Sequence, residues 1–328
     1  EDGMFKSVDN GDSWAPVNTG LTATYVLSVA VNSSDQVFAG TYFGGGAFRS
    51  SDGGASWNEI NTGLIATDVR ALVTAPNGDL FAGTYGIGAY RSQDGGNSWQ
   101  QVNNGLDARY VRALAVNANG DLFAGADWVN GAGGVYRSTD NGDTWQEVND
   151  GTITTDVRAL GINSSGHLFA ATYLGGGVYR STDNGDSWTQ VNNGLSCPYL
   201  WSFAVNSNDD LFAGSAGCGA GVFRSLDNGD TWTQQSSGIA YTDIAAMALN
   251  SSGHRFAAGT NTGGSVYRST DNADTWTEVI ANTDGQALVV DAADRIFYGS
   301  SSDAQLSTDN GDTWTAINTG LTATNVRA

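Results

Sequence analysis

Three arginines and several aromatic residues recur at one point of a repeated pattern, and together they could bind a polar ligand. Arg70, Arg112 and Arg158 each follow the leading valine of a β-branched run. The candidate ligand-binding set is Tyr25, Tyr42, Arg70, Tyr85, Tyr110, Arg112, Trp128, Arg158, Tyr173 and Trp201. Aromatic rings beside polar groups can stack on sugars or hold a protein loop. The alternative is that these residues only cover strand ends, with the arginines paired to Asp68 and Asp156.

Hydrolysis of a glycosidic bond would need two carboxylates, about 5–5.5 Å apart for retention or about 6.5–9.5 Å for inversion. The candidates are Asp68, Asp107, Asp127 and Asp156, but their spacing resembles no glycosidase signature. The sequence has no phosphate loop, nucleophile elbow or cluster of metal ligands. His167 and His254, the two histidines, occupy equivalent turns in different repeats, so they should not share a metal or a triad. We therefore expect no catalytic residue, no metal and no cofactor.

These residues lie on a module that repeats along the whole chain. The string Ser-x-Asp-x-Gly-x-Ser/Thr-Trp, called the box below, ends at Trp14, Trp57, Trp99, Trp145, Trp188, Trp232, Trp276 and Trp314. One copy has Ala273 in the glycine position, and successive tryptophans are 38 to 46 residues apart. A period in this range is typical of propellers, solenoids and arrays.

Four short strands are predicted in each repeat. In the third full repeat they are strand A at 110–116, strand B at 121–125, strand C at 134–138 and strand D at 145–149. Gly, Asn, Asp and Ser clusters separate them, and no sustained helical periodicity appears. This pattern predicts the four-stranded blades of a propeller. The D–A and B–C loops then form a top face, and the A–B and C–D turns form a bottom face.

The box is known as the Asp box or BNR repeat, and by this motif the chain resembles the Asp-box β-propellers. That family includes sialidases, xyloglucan-degrading hydrolases, sortilin-type receptors and photosystem II assembly factor-like proteins. The resemblance covers essentially the whole chain. It implies an all-β, closed β-propeller of four-stranded antiparallel blades, with the boxes in the C–D turns. It implies no single function, because the family mixes enzymes, receptors and assembly factors. The FRIP-type motif of sialidases is missing.

We predict one domain over 1–328, made of a partial blade at 1–18, seven full repeats and a partial strand at 325–328. The tail NTGLTAT at 318–324 repeats the string at 18–24. If the last strand joins the first two, the ring closes with eight blades. Seven blades with overhanging pieces is the alternative. The chain begins at Glu1 without a signal peptide, so we expect a mature chain or a piece of a longer one.

Residues present in every repeat are expected to serve folding, because a ligand rarely touches every blade. The box Ser and Asp can bond turn N–H groups, and the Trp can fill space between sheets. A box string such as Asp-Asn-Gly-Asp resembles part of a calcium loop but lacks the later bidentate Glu. Strand C carries a basic residue in seven units, interpreted as a structural ion pair or a stem packed between blades. These residues are Lys6, Arg49, Arg91, Arg137, Arg180, Arg224 and Arg268.

The charge balance limits the partners. Acids outnumber bases 34 to 14, the formal net charge is −20 and the pI is about 4.1. Such a chain should repel phosphate backbones, so nucleic acid is not expected as a partner. No apolar run approaches the roughly 18 residues of a spanning helix, so membrane insertion is not expected either.

The two cysteines predict a disulfide. Cys197 lies in a D–A loop and Cys218 in the B–C loop of the same blade, so both are expected on the top face. The loop of 20 residues between them would contribute about 3 kcal/mol in the chain-entropy model. The bond would also indicate an oxidising compartment.

We predict a secreted or cell-surface binding propeller without catalytic activity, which recognises a glycan or a protein through its top face. One alternative is a glycoside hydrolase of the Asp-box propeller type. Another is a structural unit of a larger surface protein or assembly, in which self-association is possible.

Overall fold

A computed structural model describes residues 5–6, 15–16, 19–23, 26–32, 34–41, 45–52, 56–66, 68–129, 131–149, 151–154, 156–240, 243–250, 253–259, 265–281, 285–290, 296–300, 304–307 and 309–316. Throughout these ranges the regular structure is all β, and they contain no helix. It follows that these ranges hold no apolar helix long enough to cross a bilayer. The chain divides into a central unit, Val17–Gln190, and a terminal unit, Glu1–Pro16 with Val191–Ala328.

All sheets are antiparallel, and within each one the strands follow chain order. The terminal unit begins with a two-stranded sheet of β1 (Phe5–Lys6) and β2 (Ala15–Pro16). The central unit has four sheets of four strands. Their strands are β3 (Val26–Val31), β4 (Val37–Thr41), β5 (Ala47–Ser50), β6 (Asn58–Glu59), β7 (Val69–Thr74), β8 (Leu80–Thr84), β9 (Ala89–Ser92), β10 (Gln100–Gln101), β11 (Val111–Val116), β12 (Leu122–Val129), β13 (Ala132–Ser138), β14 (Gln146–Glu147), β15 (Val157–Ile162), β16 (Leu168–Thr172), β17 (Gly177–Ser181) and β18 (Thr189–Gln190).

The rest of the terminal unit has three further four-stranded sheets. Their strands are β19 (Leu200–Val205), β20 (Leu211–Ser215), β21 (Val222–Ser225), β22 (Thr233–Gln234), β23 (Ile244–Leu249), β24 (Arg255–Gly259), β25 (Val266–Ser269), β26 (Thr277–Ile280), β27 (Gly285–Val290), β28 (Ile296–Ser300), β29 (Ala304–Ser307) and β30 (Thr315–Ala316). The predicted all-β class and four-stranded antiparallel sheets are confirmed. The single domain, the number of blades and ring closure stay predictions.

Within each unit, the first strands of successive sheets contact one another. Close approach is possible because the second strands carry small residues. A Cβ added to Gly125 in β12 would lie only 2.6 Å from Cγ1 of Val157, the leading residue of β15. The second and third strands are almost entirely buried, as the pattern of β8 shows, so both of their faces are covered by neighbouring elements. This is the packing that near-continuous apolar strands require.

The core between neighbouring sheets is built by large side chains from both. Between the sheet of β7–β10 and the sheet of β11–β14, the core contains Phe81, Val102, Leu106, Leu122 and Trp145, all at most 5% exposed. The indole Nε1 of Trp145 donates to Val102 O at 2.8 Å. The box tryptophan therefore joins its own sheet to the preceding one, both by burial and by satisfying its polar edge.

The third repeat shows where sequence and structure differ. Strand B is longer than expected, because β12 and β13 pair out to Val129 and Ala132. Strand D is shorter, with two residues in β14. The pairing ends there because the Asn149 side chain replaces the backbone, accepting from Val135 N at 2.5 Å and donating to Gly133 O at 2.8 Å. The same exchange occurs at Asn103 in the preceding repeat.

The strand C arginines bind the box of the following sheet. Arg91 pairs with Asp143 at 2.7 Å and also donates to Asn141 O at 2.7 Å. Arg137, Arg224 and Arg268 make the equivalent ion pairs with Asp186, Asp274 and Asp312. Arg49 has only the backbone partner, Gly95 O, among these contacts, because the next box has Asn97 in place of the second Asp. These contacts agree with a structural role.

Candidate functional site

The top-face loops of the central unit are fixed to one another by backbone contacts. Tyr85, in the B–C loop after β8, forms an isolated antiparallel bridge with Tyr110, just before β11. Tyr85 N donates to Asp68 O at 2.9 Å. Gly86 N and Gly88 N donate to Arg109 O at 2.9 and 3.0 Å. The loops of successive sheets therefore present their side chains from a defined backbone.

Tyr85 is the centre of an aromatic and cationic cluster. Its ring centroid lies 4.6 Å from that of Tyr110, at an interplanar angle of 70°. The guanidinium carbons of Arg70 and Arg112 lie 4.8 and 5.1 Å from the Tyr85 centroid. These are cation–π distances. Tyr85 nevertheless remains 41% exposed, so part of the cluster is open to a partner.

Each of the three arginines also pairs with an aspartate. Arg112 Nε contacts both carboxylate oxygens of Asp127 at 2.7 Å. Arg158 pairs with Asp156 at 3.0 Å. Arg70 pairs with Asp68 at 3.1 Å. The alternative stated from the sequence, pairing of arginines with Asp68 and Asp156, is therefore observed, and Asp127 is an additional partner.

The pairs connect into one array, which we call the top-face network. It contains Asp68, Arg70, Tyr85, Tyr110, Arg112, Asp127, Asp156, Arg158 and Tyr173. Asp156 links the sheet of β11–β14 to the sheet of β15–β18, because its carboxylate accepts from Trp128 N at 2.8 Å. Arg158 in turn lies 5.1 Å from the Tyr173 ring centroid and 3.9 Å from Asp127. The structure thus brings together six of the predicted ligand-binding residues, and a seventh, Trp128, is attached through its backbone.

The network has balanced charge and is partly shielded from water. Its arginine side chains are only 20–22% exposed. Burial raises the pKa of Asp68, and the charges of Arg70 and Arg112 offset part of that rise. Side chains held in mutual ion pairs lose little further freedom when a partner binds, so the network is a preorganised surface.

Exposed apolar side chains lie close in the chain to members of the network. Ile65 is 74% exposed, Leu174 is 62% exposed and Val129 is 38% exposed, and all three lie in top-face loops or at a top-face strand end. Leu174 also has a φ of 61°, a left-handed conformation that is unfavourable for a large residue. In the described part of the central unit, the other exposed large apolar residues besides Tyr85 are Val29 and Val31 on β3.

Arg109 is a candidate that the sequence reasoning missed. It lies in the D–A loop directly before Tyr110, and its side chain is exposed. The signal was present in the repeats, because the equivalent position holds Thr67 and Thr155 in the neighbouring ones. The predicted residues flank the leading valine directly, whereas Arg109 lies one position further back.

The terminal unit holds the remaining described candidate. Trp201, on β19, is 41% exposed, and Tyr199 nearby is 40% exposed. The predicted disulfide between Cys197 and Cys218 is confirmed, with their Cα atoms 6.1 Å apart. Ala216 N donates to Tyr199 O at 2.9 Å, so the two loops joined by the disulfide are also paired by backbone. The predicted ligand residues Tyr25 and Tyr42 lie outside the described residues.

The bottom face has different chemistry. A cleft of about 310 Å³ in the central unit is lined by Pro76, Asn77, Asn119, Asp140 and Asn141 among others. Asn141 donates to Asp79, so part of this lining is already engaged. His167 N and His254 N each donate to an asparagine in their own turn, Asn163 and Asn250. Among the described residues, no three His, Cys, Asp or Glu side chains are grouped to hold a metal.

The comparisons with known proteins concern the fold. The family model described as the DUF6242 beta propeller domain matches residues 89–199, about a third of the chain. A search of curated proteins found no match. Among solved structures, a GH74 xyloglucanase from Xanthomonas campestris is 18% identical with a TM-score of 0.63. The match covers 76% of this chain and 45% of the xyloglucanase, so this chain spans less than half of that enzyme.

Two further structures are similar. YCF48 bound to D1 peptide is 17% identical, with a TM-score of 0.65, over 84% of this chain and 90% of that protein. The extracellular domain of a one-component system from B. thetaiotaomicron is 12% identical, with a TM-score of 0.53, over 99% of this chain and 46% of that protein. Identities this low establish the fold alone. Together with the sheets, these matches support a β-propeller family.

Proposed function

We propose that this protein is a non-catalytic binding module that recognises its partner through the top face of the central unit. The observation that carries the proposal is the exposure of Ile65, Tyr85, Val129 and Leu174 in the loops and strand ends that also carry a network of ion pairs. Monomeric surfaces seldom group large apolar residues without an interaction to cover them. Aromatic residues and arginine are also the residue types that dominate binding energy at interfaces.

A polypeptide partner agrees best with these side chains. Two arginines occupy positions over the Tyr85 ring, where a sugar would otherwise stack. The aliphatic tips of Ile65 and Leu174 offer contacts that suit apolar side chains of a protein loop. The structural relative YCF48, which was solved with D1 peptide, supports the same class of ligand.

We also propose that the protein acts outside the cytoplasm, as a secreted or cell-surface protein. The Cys197–Cys218 disulfide supports this, because such bonds persist in oxidising compartments. The similarity to an extracellular domain agrees with the same location.

Glycoside hydrolysis is the second candidate. The raised pKa of Asp68 is the specific observation in its favour, because a general acid must hold its proton near neutral pH. The ion pair with Arg70 opposes this role, because a neighbouring cation favours the ionised carboxylate. The similarity to a GH74 xyloglucanase supports this candidate at the level of fold only.

The test uses a glycan array and a phage-displayed library of random peptides, screened in parallel. Ligands selected by the wild-type protein are measured again with the double variant Arg112→Ala/Trp128→Ala. We expect selected peptides whose affinity falls at least about tenfold in the variant, since two interface residues are truncated. The matched control is Asn77→Ala/Thr139→Ala at the bottom-face cleft, which should bind as wild type.

Two results would contradict the proposal. One is binding that the double variant retains unchanged, which would remove the top face as the site. The other is release of reducing sugar from bound glycans, detected by chromatography and lost in Asp68→Asn, which would establish the hydrolase instead.

A further inference from the structure

Arg109 is distinguished from the other arginines by having no partner for its charge. In the ranges that the structure describes, each other arginine side chain contacts a carboxylate, a backbone carbonyl or another group. Arg109 alone is exposed and makes neither an ion pair nor a hydrogen bond through its guanidinium. Among the arginines in the described ranges, Arg109 is therefore the one whose charge remains available to a partner.

The backbone that carries Arg109 is held in place. Its carbonyl accepts from Gly86 N and Gly88 N of the preceding sheet, at 2.9 and 3.0 Å. The following residue, Tyr110, forms the bridge and the ring contact with Tyr85. The loop needs no ordering upon binding, which favours affinity.

Comparison of the repeats shows that a cation is not needed here for folding. Six other repeats have a small uncharged residue at the equivalent position, namely Thr24, Thr67, Thr155, Pro198, Thr242 and Thr324. Arg109 is the exception among these repeats, and it adds an unpaired positive charge to a chain of net charge −20.

The surroundings do not neutralise Arg109. The three aspartates of the top-face network pair with Arg70, Arg112 and Arg158. Asp107, two residues earlier, is exposed and forms no ion pair with Arg109. Asp107 lies close enough to Tyr136 to contribute to its raised pKa, which places the carboxylate toward β13.

We propose that Arg109 is a specificity residue that pairs with a carboxylate of an acidic polypeptide segment. This inference rests on the proposed binding function and names the chemistry of its ligand. A carboxylate suits one guanidinium, which can bind it through two parallel hydrogen bonds. A phosphate group is typically recognised by a cluster of arginines, and the neighbouring arginines are already paired. Tyr85, which is paired with the neighbouring Tyr110, provides an aromatic contact for a residue that flanks the acid.

The test starts from the peptides that the wild-type protein selects from the random library. We expect them to be enriched in Asp or Glu. For the tightest synthetic peptide, Arg109→Ala should weaken binding about two- to fivefold, which is the contribution expected of one exposed ion pair. Arg109→Lys should weaken binding less than Arg109→Ala, because lysine keeps the positive charge. The matched control Asp107→Asn should bind equally or more tightly, because it removes a nearby like charge from the acidic ligand.

The outcomes separate this inference from the function on which it rests. Selected peptides that lose affinity in Arg112→Ala/Trp128→Ala but not in Arg109→Ala would overturn the role of Arg109 alone. Binding that is indifferent to both variants would overturn the proposed function. Selection of glycans that carry uronic acids, with binding that is lost in Arg109→Ala, would overturn the proposal that the ligand is a polypeptide. The thermal midpoint of Arg109→Ala should equal that of the wild type, because its exposed guanidinium makes no ion pair or hydrogen bond with the described residues.

Discussion

The box aspartates each organise one turn through several hydrogen bonds. Asp140 Oδ1 accepts from Ser138 Oγ at 2.8 Å and from Thr144 N at 2.9 Å, while Oδ2 accepts from Thr144 Oγ1 at 2.5 Å. Ser138 Oγ accepts in turn from Gly142 N at 2.8 Å. All of these groups already form hydrogen bonds inside the turn. The recurring acidic residues therefore have a structural role and are poor candidates for ligand binding.

These bonds make stability depend on pH. Hydrogen bonds from the Ser56 side chain and backbone lower the pKa of Asp52 to about 2. At Asp271 burial raises the pKa, but hydrogen bonds from Thr275 and Ser269 outweigh it and lower the pKa to about 2. Below the ordinary value of 3.8, the unfolded chain binds more protons than the folded one. Stability should therefore be fully present above that value and fall as the pH approaches about 2.

Urea unfolding at a series of pH values from about 5 to about 2 tests this expectation. Asp271→Asn should show a smaller loss on acidification than the wild type, because one of the titrating carboxylates is removed. A urea midpoint that stays constant over this range would show that the box carboxylates do not have lowered pKa values.

Several residue roles could be predicted from the sequence, and others could not. The box Ser, Asp and Trp were recognisable because they recur with constant spacing. The partner of the strand C arginines was not, since Arg91 and Asp143 lie 52 positions apart and only the packing of successive sheets brings them together. Arg109 was not among the predicted residues, because it lies in a loop two positions before the leading valine, where the neighbouring repeats have the uncharged Thr67 and Thr155.

Among the connections between elements, the turn after β10 joins two sheets. Gly105 has a φ of 82°, and an added Cβ would lie 2.0 Å from Trp145 O in the next sheet. Trp145 N donates to Asn104 O at 2.8 Å. The turn is therefore fixed by the box of the following repeat, and this position requires glycine for two reasons, the backbone conformation and the lack of space.

Gly105→Ala should destabilise the protein by more than about 3 kcal/mol, because a backbone carbonyl cannot move away without separating the sheets. The matched control is Gly120→Ala, which has a similar φ of 87° but open space around the added Cβ. Gly120→Ala should lower the free energy of unfolding by about 1–2 kcal/mol, because only the left-handed conformation disfavours alanine there. Equal losses of unfolding free energy in the two variants would contradict the sheet-to-sheet contact.

The disulfide braces two top-face loops of the terminal unit. Cys197→Ala/Cys218→Ala should lower the free energy of unfolding by about 3 kcal/mol, because the cross-link restricts a 20-residue loop in the unfolded chain. A reductant should destabilise the wild type by a similar amount and leave the double variant unaffected. Two titratable thiols in the native, unreduced protein would contradict the bond.

Element positions were largely predictable, but element lengths were not. The alternation of β-branched runs with Gly and Asn clusters located strands A to D of the third repeat. The early end of β14 depended on Asn149, whose side chain takes over the backbone pairing. The sequence pattern does not distinguish an asparagine that ends a strand in this way from one in an ordinary turn.

At the scale of the whole molecule, charge is distributed unevenly between the faces of the central unit. The top-face loops and strand starts hold five aspartates and four arginines, namely Asp68, Asp107, Asp127, Asp150 and Asp156 with Arg70, Arg109, Arg112 and Arg158. The bottom-face turns hold nine aspartates, against the four strand C arginines beside them; the aspartates are Asp35, Asp52, Asp79, Asp94, Asp121, Asp140, Asp143, Asp183 and Asp186, and the arginines are Arg49, Arg91, Arg137 and Arg180. An acidic partner is therefore repelled by the bottom face and tolerated by the top face.

Hydrogen exchange of the wild-type protein, with and without its tightest selected peptide, locates the bound partner on the protein surface. If the top face binds the peptide, exchange should slow in the top-face segments 64–68, 85–88, 107–112 and 127–133 and stay unchanged in the box turns. Protection confined to the box turns, such as 138–145, would contradict this expectation, because the bound peptide would then lie on the face that we assign to folding alone.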